Sequence, residues 1–464
     1  MIDQGDPFLI SGKDIVLINT PLTFTKDPLA PLYLIPVGIL KIATYLKKRR
    51  NRIFFIDMSS RESYPFRLAP IGREGKRRLR VHVMGKTMEQ LKKALKKRKR
   101  YPDEIWISCS FTSDHPIVES MVRVCRDIFP KVRIRWGGDS VQMAPELATK
   151  LGVEAYLGRC AAVDDEVPDF YSVPRWDYGL FQLGVGCVNH CSFCTNGRQR
   201  LHKLQIGRTL SYMKAFYDAF RPKVYYNWDP NILAFGDHIN EFLKRFERSG
   251  IRARLLFGKG FQPNLLRRKT ADLMGQIGNV HATLPVDSGD SRMARRLNKP
   301  YTVISSVKAL KMVKDAGVDL KFCPATFVIG YPDDDLAAIF RIFLVILRFK
   351  GQPSPFPVFL FPGASDYGAY CSMVKHKDFS DLQGYLWPLV KSDDVPEYQS
   401  LLKFLCIDDL GVACKSLFLL TPGQREVFLE EWGHIDAFIE MCLNASQDTV
   451  RELERIESYL LKVV

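Results

Sequence analysis

Short aliphatic and β-branched runs alternate with helix-period stretches twice along this 464-residue chain, and that alternation constrains the fold most. In the first half, residues 14–19, 52–57, 104–109, 132–136 and 153–157 read as strands. Helices over 36–48, 116–128 and 144–151 separate several of them, and Pro116 suits the first turn of its helix. The series predicts an open, parallel, doubly wound sheet with ligands beyond the strand carboxyl ends, near a switch point. Residues 164–177 interrupt it with Asp164, Asp165, Glu166, Pro168 and Pro174, the mark of a linker. Strands are expected again at 180–186, 224–229, 253–257, 280–287, 320–330 and 356–361, with helices at 238–249, 263–275, 304–316 and 336–349. Six strands with intervening helices predict a partial (β/α)6 barrel whose active residues lie at strand C-termini. Past residue 368 the strand signal fades, and 398–405 and 447–461 read as helices. The expected class is α/β. The domains are a Rossmann-like parallel sheet (1–163), a linker (164–177), a partial barrel (178–368) and a helical C-terminal region (369–464).

Composition narrows the classes. A chain of this length with 46% apolar and 25% charged residues supports two or three globular domains. The eleven cysteines are scattered and odd in number, and the N-terminus has no basic stretch leading into an apolar run. These features point away from a secreted disulfide framework and toward a reducing cytoplasm, where thiols are free to bind metal. No run reaches the roughly 20 apolar residues of a membrane span. The nearest, 336–349, is interrupted by Arg341 and Arg348 and reads as a buried helix, with a surface that touches a membrane or a partner as the competing reading.

The net charge of +16 is localised. Residues 73–100 hold thirteen Lys or Arg against Glu74 and Glu89, and Lys47, Lys48, Arg49, Arg50 and Arg52 supply the rest. One reading is an anion-binding patch for phosphates or a charged membrane surface. The other is a solvated helix face, since Met88, Leu91 and Leu95 recur at helical spacing. No aromatic residues interleave with the charges to stack bases.

The sharpest chemical signal follows the first strand of the second domain: Gly186-Cys187-Val188-Asn189-His190-Cys191-Ser192-Phe193-Cys194. Three thiolates on one loop can each bind one iron of a cubane cluster. A fourth iron then stays open to a chelating amine and carboxylate, much as catalytic zinc keeps one free position. A zinc site and plain structural thiols are the competing readings. Zinc would need a fourth ligand, His190 is awkwardly placed inside the loop, and no second C-x-x-C pair exists.

The C-x3-C-x2-C spacing, with Phe193 before the third cysteine, resembles the signature of the radical S-adenosylmethionine superfamily. Further segments match in order. Asp229-Pro230-Asn231 resembles the acidic turn after the second strand. Val286-Asp287-Ser288-Gly289, then Leu297-Asn298-Lys299, resembles the fourth-strand Glu-Ser-Gly segment and its lysine, with Asp in place of Glu. Phe327 to Pro332, including Gly330, resembles the glycine region near the adenine, although Asp333 stands where glycine is common. Phe361-Pro362-Gly363-Ala364-Ser365 resembles the sixth-strand Pro-Gly-Thr segment.

The first domain resembles the cobalamin-binding domain of one branch of that superfamily, through Pro36 and Gly38 at a helix start, Ser108 and Ser110 after one strand, and Gly137-Gly138 after another. The Asp-x-His-x-x-Gly loop that carries a cobalt-binding histidine is absent, and Gly158-Arg159-Cys160 replaces an acidic turn. An empty Rossmann-like domain is the competing reading.

The resemblance implies a [4Fe–4S] cluster on Cys187, Cys191 and Cys194, and S-adenosylmethionine contacts from Phe193, Asp229, Asp287, Ser288, Gly330 and Pro332. It also implies an electron donor such as flavodoxin or ferredoxin, a small-molecule or peptide substrate, and cobalamin-dependent methyl transfer to an unreactive carbon. Two alternatives stay open: a radical enzyme without cobalamin, performing rearrangement or dehydrogenation, and a metal-bearing nucleic-acid-binding module.

Overall fold

The computed structural model describes residues 8–25, 36–60, 62–158, 160–164, 166–172, 178–197, 200–259, 261–287, 291–334, 338–339, 342, 345–346, 349, 351–396 and 398. Two compact units divide the chain: residues 1–175 with 359–392, and residues 176–358 with 393–464.

The first unit begins with β1 (Asp14–Asn19), β2 (Leu22–Thr25), α1 (Val37–Lys48), β3 (Arg52–Asp57), β4 (Ser63–Ile71), β5 (Arg77–Met84) and α2 (Met88–Lys96). It continues with β6 (Glu104–Ser108), α3 (His115–Ile128), β7 (Arg133–Gly137), α4 (Asp139–Met143), α5 (Glu146–Leu151) and β8 (Glu154–Ala155). A five-stranded sheet of order β3-β1-β6-β7-β8 is parallel throughout. Its order reverses between β1 and β6, which places the switch point there. Ile15, Val16, Leu17 and Ile18 are all fully buried, because a parallel strand packs on both faces.

A three-stranded antiparallel sheet, β2-β5-β4, was not expected from the sequence. Its strands carry four arginines and two prolines, a composition that hides a strand signal. The sheet also revises the domain boundary expected at 368. Gly72 donates to the Leu386 carbonyl at 2.8 Å, and the Arg73 guanidinium to Leu389 at 2.8 Å. Arg67 pairs with Asp381 at 2.6 Å. Residues 359–392 therefore belong with the first unit and are turns and short helices, while the helices expected at 398–405 and 447–461 lie essentially outside the described residues.

Pairing also sorts the basic residues. Lys47 meets Asp169 and Lys48 meets Glu166, each at 2.5 Å. In contrast, Lys92, Lys93, Lys96, Lys97, Lys99 and Arg100 make no ion pair among the described residues. The α2 surface keeps its charge. Its start carries a capping box, in which Thr87 and Gln90 bond each other's backbone, and Leu91 and Leu95 are buried beneath it.

Asp114 sits at the switch-point end of the parallel sheet. One of its oxygens accepts from the Thr23 amide at 3.0 Å and the Thr23 hydroxyl at 2.5 Å, while the other is buried without a partner. Burial, opposed by those bonds, pushes its carboxyl up to about 7. A pKa raised on folding contributes stability that is fully present below the unfolded value and is lost as pH rises through about 7. The span of roughly three units corresponds to at most about 4 kcal/mol. Asp114→Asn should therefore gain thermal midpoint over the parent between pH 5 and 8. A parallel pH dependence in both proteins would contradict a buried, titrating Asp114.

The second unit opens with β9 (Tyr178–Phe181), the short pair β10 (Gly184–Val185) and β11 (His202–Lys203), and α6 (Ile206–Phe220). Then follow β12 (Val224–Asn227), α7 (His238–Arg248), β13 (Arg254–Phe257), α8 (Arg268–Ile277), β14 (Val280–Ala282), β15 (Leu284–Asp287), α9 (Ser291–Arg296), α10 (Val303–Asp315), β16 (Pro324–Ile329) and β17 (Gln352–Pro357). The sheets β9-β12-β13-β14 and β15-β16-β17 are parallel. Only Thr283 separates β14 from β15, so six strand positions follow one another as expected of the partial barrel.

The last strand differs from its expected position, 356–361. Pro353, Pro355 and Pro357 fall at every second residue of β17, a pattern that reads as loop. An edge strand tolerates it, because the missing N–H groups can all lie on the unpaired side. Phe361-Pro362-Gly363-Ala364-Ser365 therefore lies beyond the strand, within the 359–392 segment of the first unit. No described helix is long and apolar enough to cross a membrane.

Candidate active site

Cys187, Cys191 and Cys194 are free thiols, half-buried on the loop that leaves β10. The loop is held from four sides. Asp229, fully buried after β12, accepts from the Leu183 amide at 3.1 Å, the Gly184 amide at 2.9 Å and the Asn227 amide group at 2.7 Å. Its carboxylate faces the backbone that launches the loop. Ser192 donates through its backbone to Leu297 at 3.0 Å, and the Asn298 side chain donates to the His190 carbonyl at 2.9 Å. Gln262 gathers Asn189 at 2.7 Å and Asn231 at 2.8 Å on its carbonyl oxygen.

A buried charge pair stands against the loop. The Lys299 ammonium lies 2.7 Å from Asp287 and 4.4 Å from the centre of the Phe193 ring. Tyr301 donates its hydroxyl to the same carboxylate. Asp287 ends β15 with φ of 56°, a conformation that non-glycine residues keep only when their surroundings over-determine it. Lysine, tyrosine and carboxylate supply that constraint.

Electrostatics tie the pair to the thiols. Burial pushes the Cys191 and Cys194 thiols up, and the Lys299 charge opposes that on both. For Lys299 itself, burial pulls the ammonium down, but Asp287 and the thiols outweigh it and leave the group raised and charged. Two buried polar atoms in this region have no partner: the Asn231 carbonyl oxygen, whose amide nitrogen is 3.9 Å from the Cys187 sulfur, and the Ser192 hydroxyl. Orphaned buried polar atoms beside three thiols suit a bound polar group. Among the described residues no three His, Cys, Asp or Glu side chains close around a single ion. A cubane, which takes each thiolate on a different iron, does not require that closure.

The remaining expected contacts are placed as follows. Gly330 follows β16, and its amide donates to Asp334, which also accepts from Tyr331 at 3.0 Å. Pro332 is exposed, and Ser288 lies outside the described residues. In the first unit, Ser108, Gly137 and Gly138 are half-buried and Ser110 is exposed at the strand ends, Pro36 precedes α1, and Gly38 is exposed within it.

Gly138 packs against this chain's own backbone. A Cβ there would lie 2.3 Å from the Cys109 carbonyl oxygen, and φ is 100°. Its hydrogen faces this chain's own backbone rather than open ligand space. Gly138→Leu should thus destabilise the first unit by several kcal/mol, on the order of 4 for a clash combined with an unfavourable φ. Urea unfolding by circular dichroism measures this, and an unchanged midpoint would refute it.

Residues 181–343 match the family described as Radical SAM superfamily. With fold and site in agreement, residues 181–343 are a radical SAM domain. Solved structures share the fold. The radical S-adenosylmethionine methyltransferase TsrM from Kitasatospora setae, with cobalamin and a [4Fe–4S] cluster bound, is 12% identical over 78% of this chain and 76% of its own, with a TM-score of 0.56. The cobalamin-dependent S-adenosylmethionine radical enzyme OxsB, with aqua-cobalamin and S-adenosylmethionine bound, is 13% identical over 97% of this chain and 75% of its own, with a TM-score of 0.51. Comparison with curated proteins by sequence gives no match.

Sequence reasoning missed Gln262, Asn189 and Tyr301. Gln262 and Asn189 meet only through tertiary folding, and no local spacing signals it. Tyr301 sits two residues past the Leu297-Asn298-Lys299 segment and could have been found from that proximity.

Proposed function

We propose that the chain holds a [4Fe–4S] cluster on Cys187, Cys191 and Cys194 and binds S-adenosylmethionine beside it, with cobalamin on the strand ends of the first unit and methyl transfer to an unreactive carbon as the reaction. The carrying observation is three half-buried free thiols on one loop, pressed against a buried lysine that a carboxylate and a tyrosine hold in place. When bound, these groups supply the electron that splits S-adenosylmethionine into methionine and a 5′-deoxyadenosyl radical, and a transferable methyl group.

The protein's own part is positioning and exclusion of water. Asp229 acts through the backbone of Leu183 and Gly184, which sets where the cysteine loop begins. Asp287 anchors Lys299, and Lys299 keeps a positive charge beside sulfurs that must be deprotonated to bind iron. In the first unit, Ser108, Ser110 and Gly137 offer small groups at the switch-point end of the sheet. The nearby His115 faces the Thr112 carbonyl and Asp378, so it is not presented as a cobalt ligand. The cationic α2 surface and the residues to Arg100 are the candidate contact for an anionic partner.

An absorption spectrum of anaerobically reconstituted protein tests the reading. A broad shoulder near roughly 400 nm, with 5′-deoxyadenosine formed on reduction, is expected for the cluster. Corrin bands that survive desalting are expected for cobalamin. A colourless protein overturns the cluster, and missing corrin bands overturn cobalamin and methyl transfer.

A further inference from the structure

Five helices of this chain, α3, α6, α7, α8 and α10, each pair a surface cation with a carboxylate four residues away, as Lys214 meets Asp218 at 2.6 Å. Such pairs stabilise an exposed helix, and like charges at the same spacing oppose it. The pattern on α2 is the reverse. Lys92 and Lys96 stand four residues apart, as do Lys93 and Lys97, and Lys99 and Arg100 follow; all but Lys92 are exposed. Glu89 is the one acid on α2 and can neutralise at most one of them. Cations suit the carbonyl end of a helix dipole, which accounts for Lys93 and Lys96 in the last turn, but that effect fades before Lys99 and Arg100. The neighbouring acids are engaged elsewhere. Asp14 holds Arg98 and lies 3.5 Å from Arg52, and Asp103 faces Lys13 at 4.0 Å. Helix α3, packed alongside, brings Arg123 and Arg126 against Glu119 and Asp127, and so no negative excess. The Lys131 amide donates to the Tyr101 hydroxyl at 3.0 Å, which sets one more exposed cation beside the segment.

The charges sit on a fixed platform. Leu91 and Leu95 are fully buried beneath α2, and Arg98 anchors the end of the segment on Asp14, the first residue of β1. The cations therefore run toward the amino edge of the parallel sheet, opposite the strand ends that carry Ser108 and Gly137. What the surface lacks decides what fits it. Among the described residues 85–100 no large hydrophobic side chain is exposed. A stable protein partner needs an apolar centre, and lysine is depleted at such interfaces. A helix that lies on a bilayer inserts an apolar face, whereas the apolar face of α2 is in the core. A nucleic-acid backbone requires neither, because lysine–phosphate contacts and the release of counterions supply its affinity. Without interleaved aromatics there is no platform for stacking bases, so sequence contributes little.

We infer that the α2 surface, from Lys92 to Arg100, docks on the sugar–phosphate backbone of a nucleic acid without sequence preference. This names the partner of the anionic contact proposed for α2 and rests on that reading. It is independent of the iron–sulfur cluster.

Fluorescence anisotropy of the full chain with labelled duplexes of roughly 20 base pairs, one DNA and one RNA, tests this over a salt series. Saturable binding to at least one duplex is expected at low salt, with log affinity falling against log salt at a slope of about −4.5 to −5.5 for five or six phosphates neutralised. A variant carrying Lys93→Gln, Lys96→Gln, Lys97→Gln and Lys99→Gln should lose at least about a hundredfold in affinity and flatten the slope by about 3 to 4. Glutamine preserves helix propensity at these exposed positions, so circular dichroism should match the parent. The control removes the same charge elsewhere, through Lys214→Gln, Arg245→Gln, Arg268→Gln and Lys311→Gln, and should stay within about fivefold of the parent, because distant exposed charges are screened. Absence of saturable binding to either duplex in the parent, or equal losses in the two variants, overturns the inference. Phosphatidylserine vesicles separate it from the reading it rests on. Binding that depends on α2 and occurs with vesicles alone keeps an anionic contact and refutes the nucleic acid, and binding to neither refutes both. Iron content should be the same in parent and variants.

Discussion

Replacing Cys187, Cys191 and Cys194 together with alanine should abolish iron retention after anaerobic reconstitution and, with it, reductive cleavage of S-adenosylmethionine. The three thiols share one loop, and Asp229, Leu297, Asn298 and Gln262 hold that loop through bonds that none of the cysteine side chains makes. Alanine at the three positions should therefore leave the fold intact, so a loss of iron reads as loss of ligands. Cys323 is the internal control. It is fully buried, and burial pushes its thiol up to about 11, which makes it a poor ligand. Cys323→Ser should keep the parent's iron. Retention of about four irons per chain by the triple variant, the content of one cubane, would refute the assignment. Parent-level iron with no 5′-deoxyadenosine would keep the cluster and remove the radical chemistry.

The parts of this molecule that were legible in advance are those with strong local signals. Residues 52–57 and 224–227 are apolar or β-branched runs and form strands where expected. The cysteine loop is a spacing, and it needs no tertiary information to be found. The β4–β5 hairpin was missed because its fold depends on Arg67 meeting Asp381 and on Gly72 meeting Leu386, more than 300 residues away in sequence. Local propensity carries no record of such partners. The same distance explains the misplaced C-terminal boundary. Asp229 illustrates a subtler loss: an acidic residue after a barrel strand is visible in sequence, but only the fold shows it bonded to backbone amides. Gly138 is similar, since a glycine that admits a ligand and a glycine pressed on Cys109 read alike in sequence.

Breaking the Asp287–Lys299 pair should have the second large effect, and both directions of substitution are informative. The side chains are 7% and 9% exposed, so either charge left alone would be stranded in a medium that solvates it poorly. Removing one partner of such a pair typically costs about 3–5 kcal/mol, whereas replacing both with apolar residues can be nearly neutral. Asp287→Leu and Lys299→Met are thus each expected to lower stability by that amount, and the double variant by clearly less than the sum. Urea titrations of iron-free protein measure the stability part without the cluster's contribution. Function should respond differently. Lys299→Met leaves Asp287 without its cation beside Cys191 and Cys194, which disfavours the deprotonated thiols, so iron loading should fall. The double variant removes both charges and should recover fold stability without recovering S-adenosylmethionine binding, measured by equilibrium dialysis. If instead the double variant binds S-adenosylmethionine as tightly as the parent, the pair only shapes the fold. In that case Asp287 makes no contact with the ligand, and the strained conformation at the end of β15 serves the loop alone.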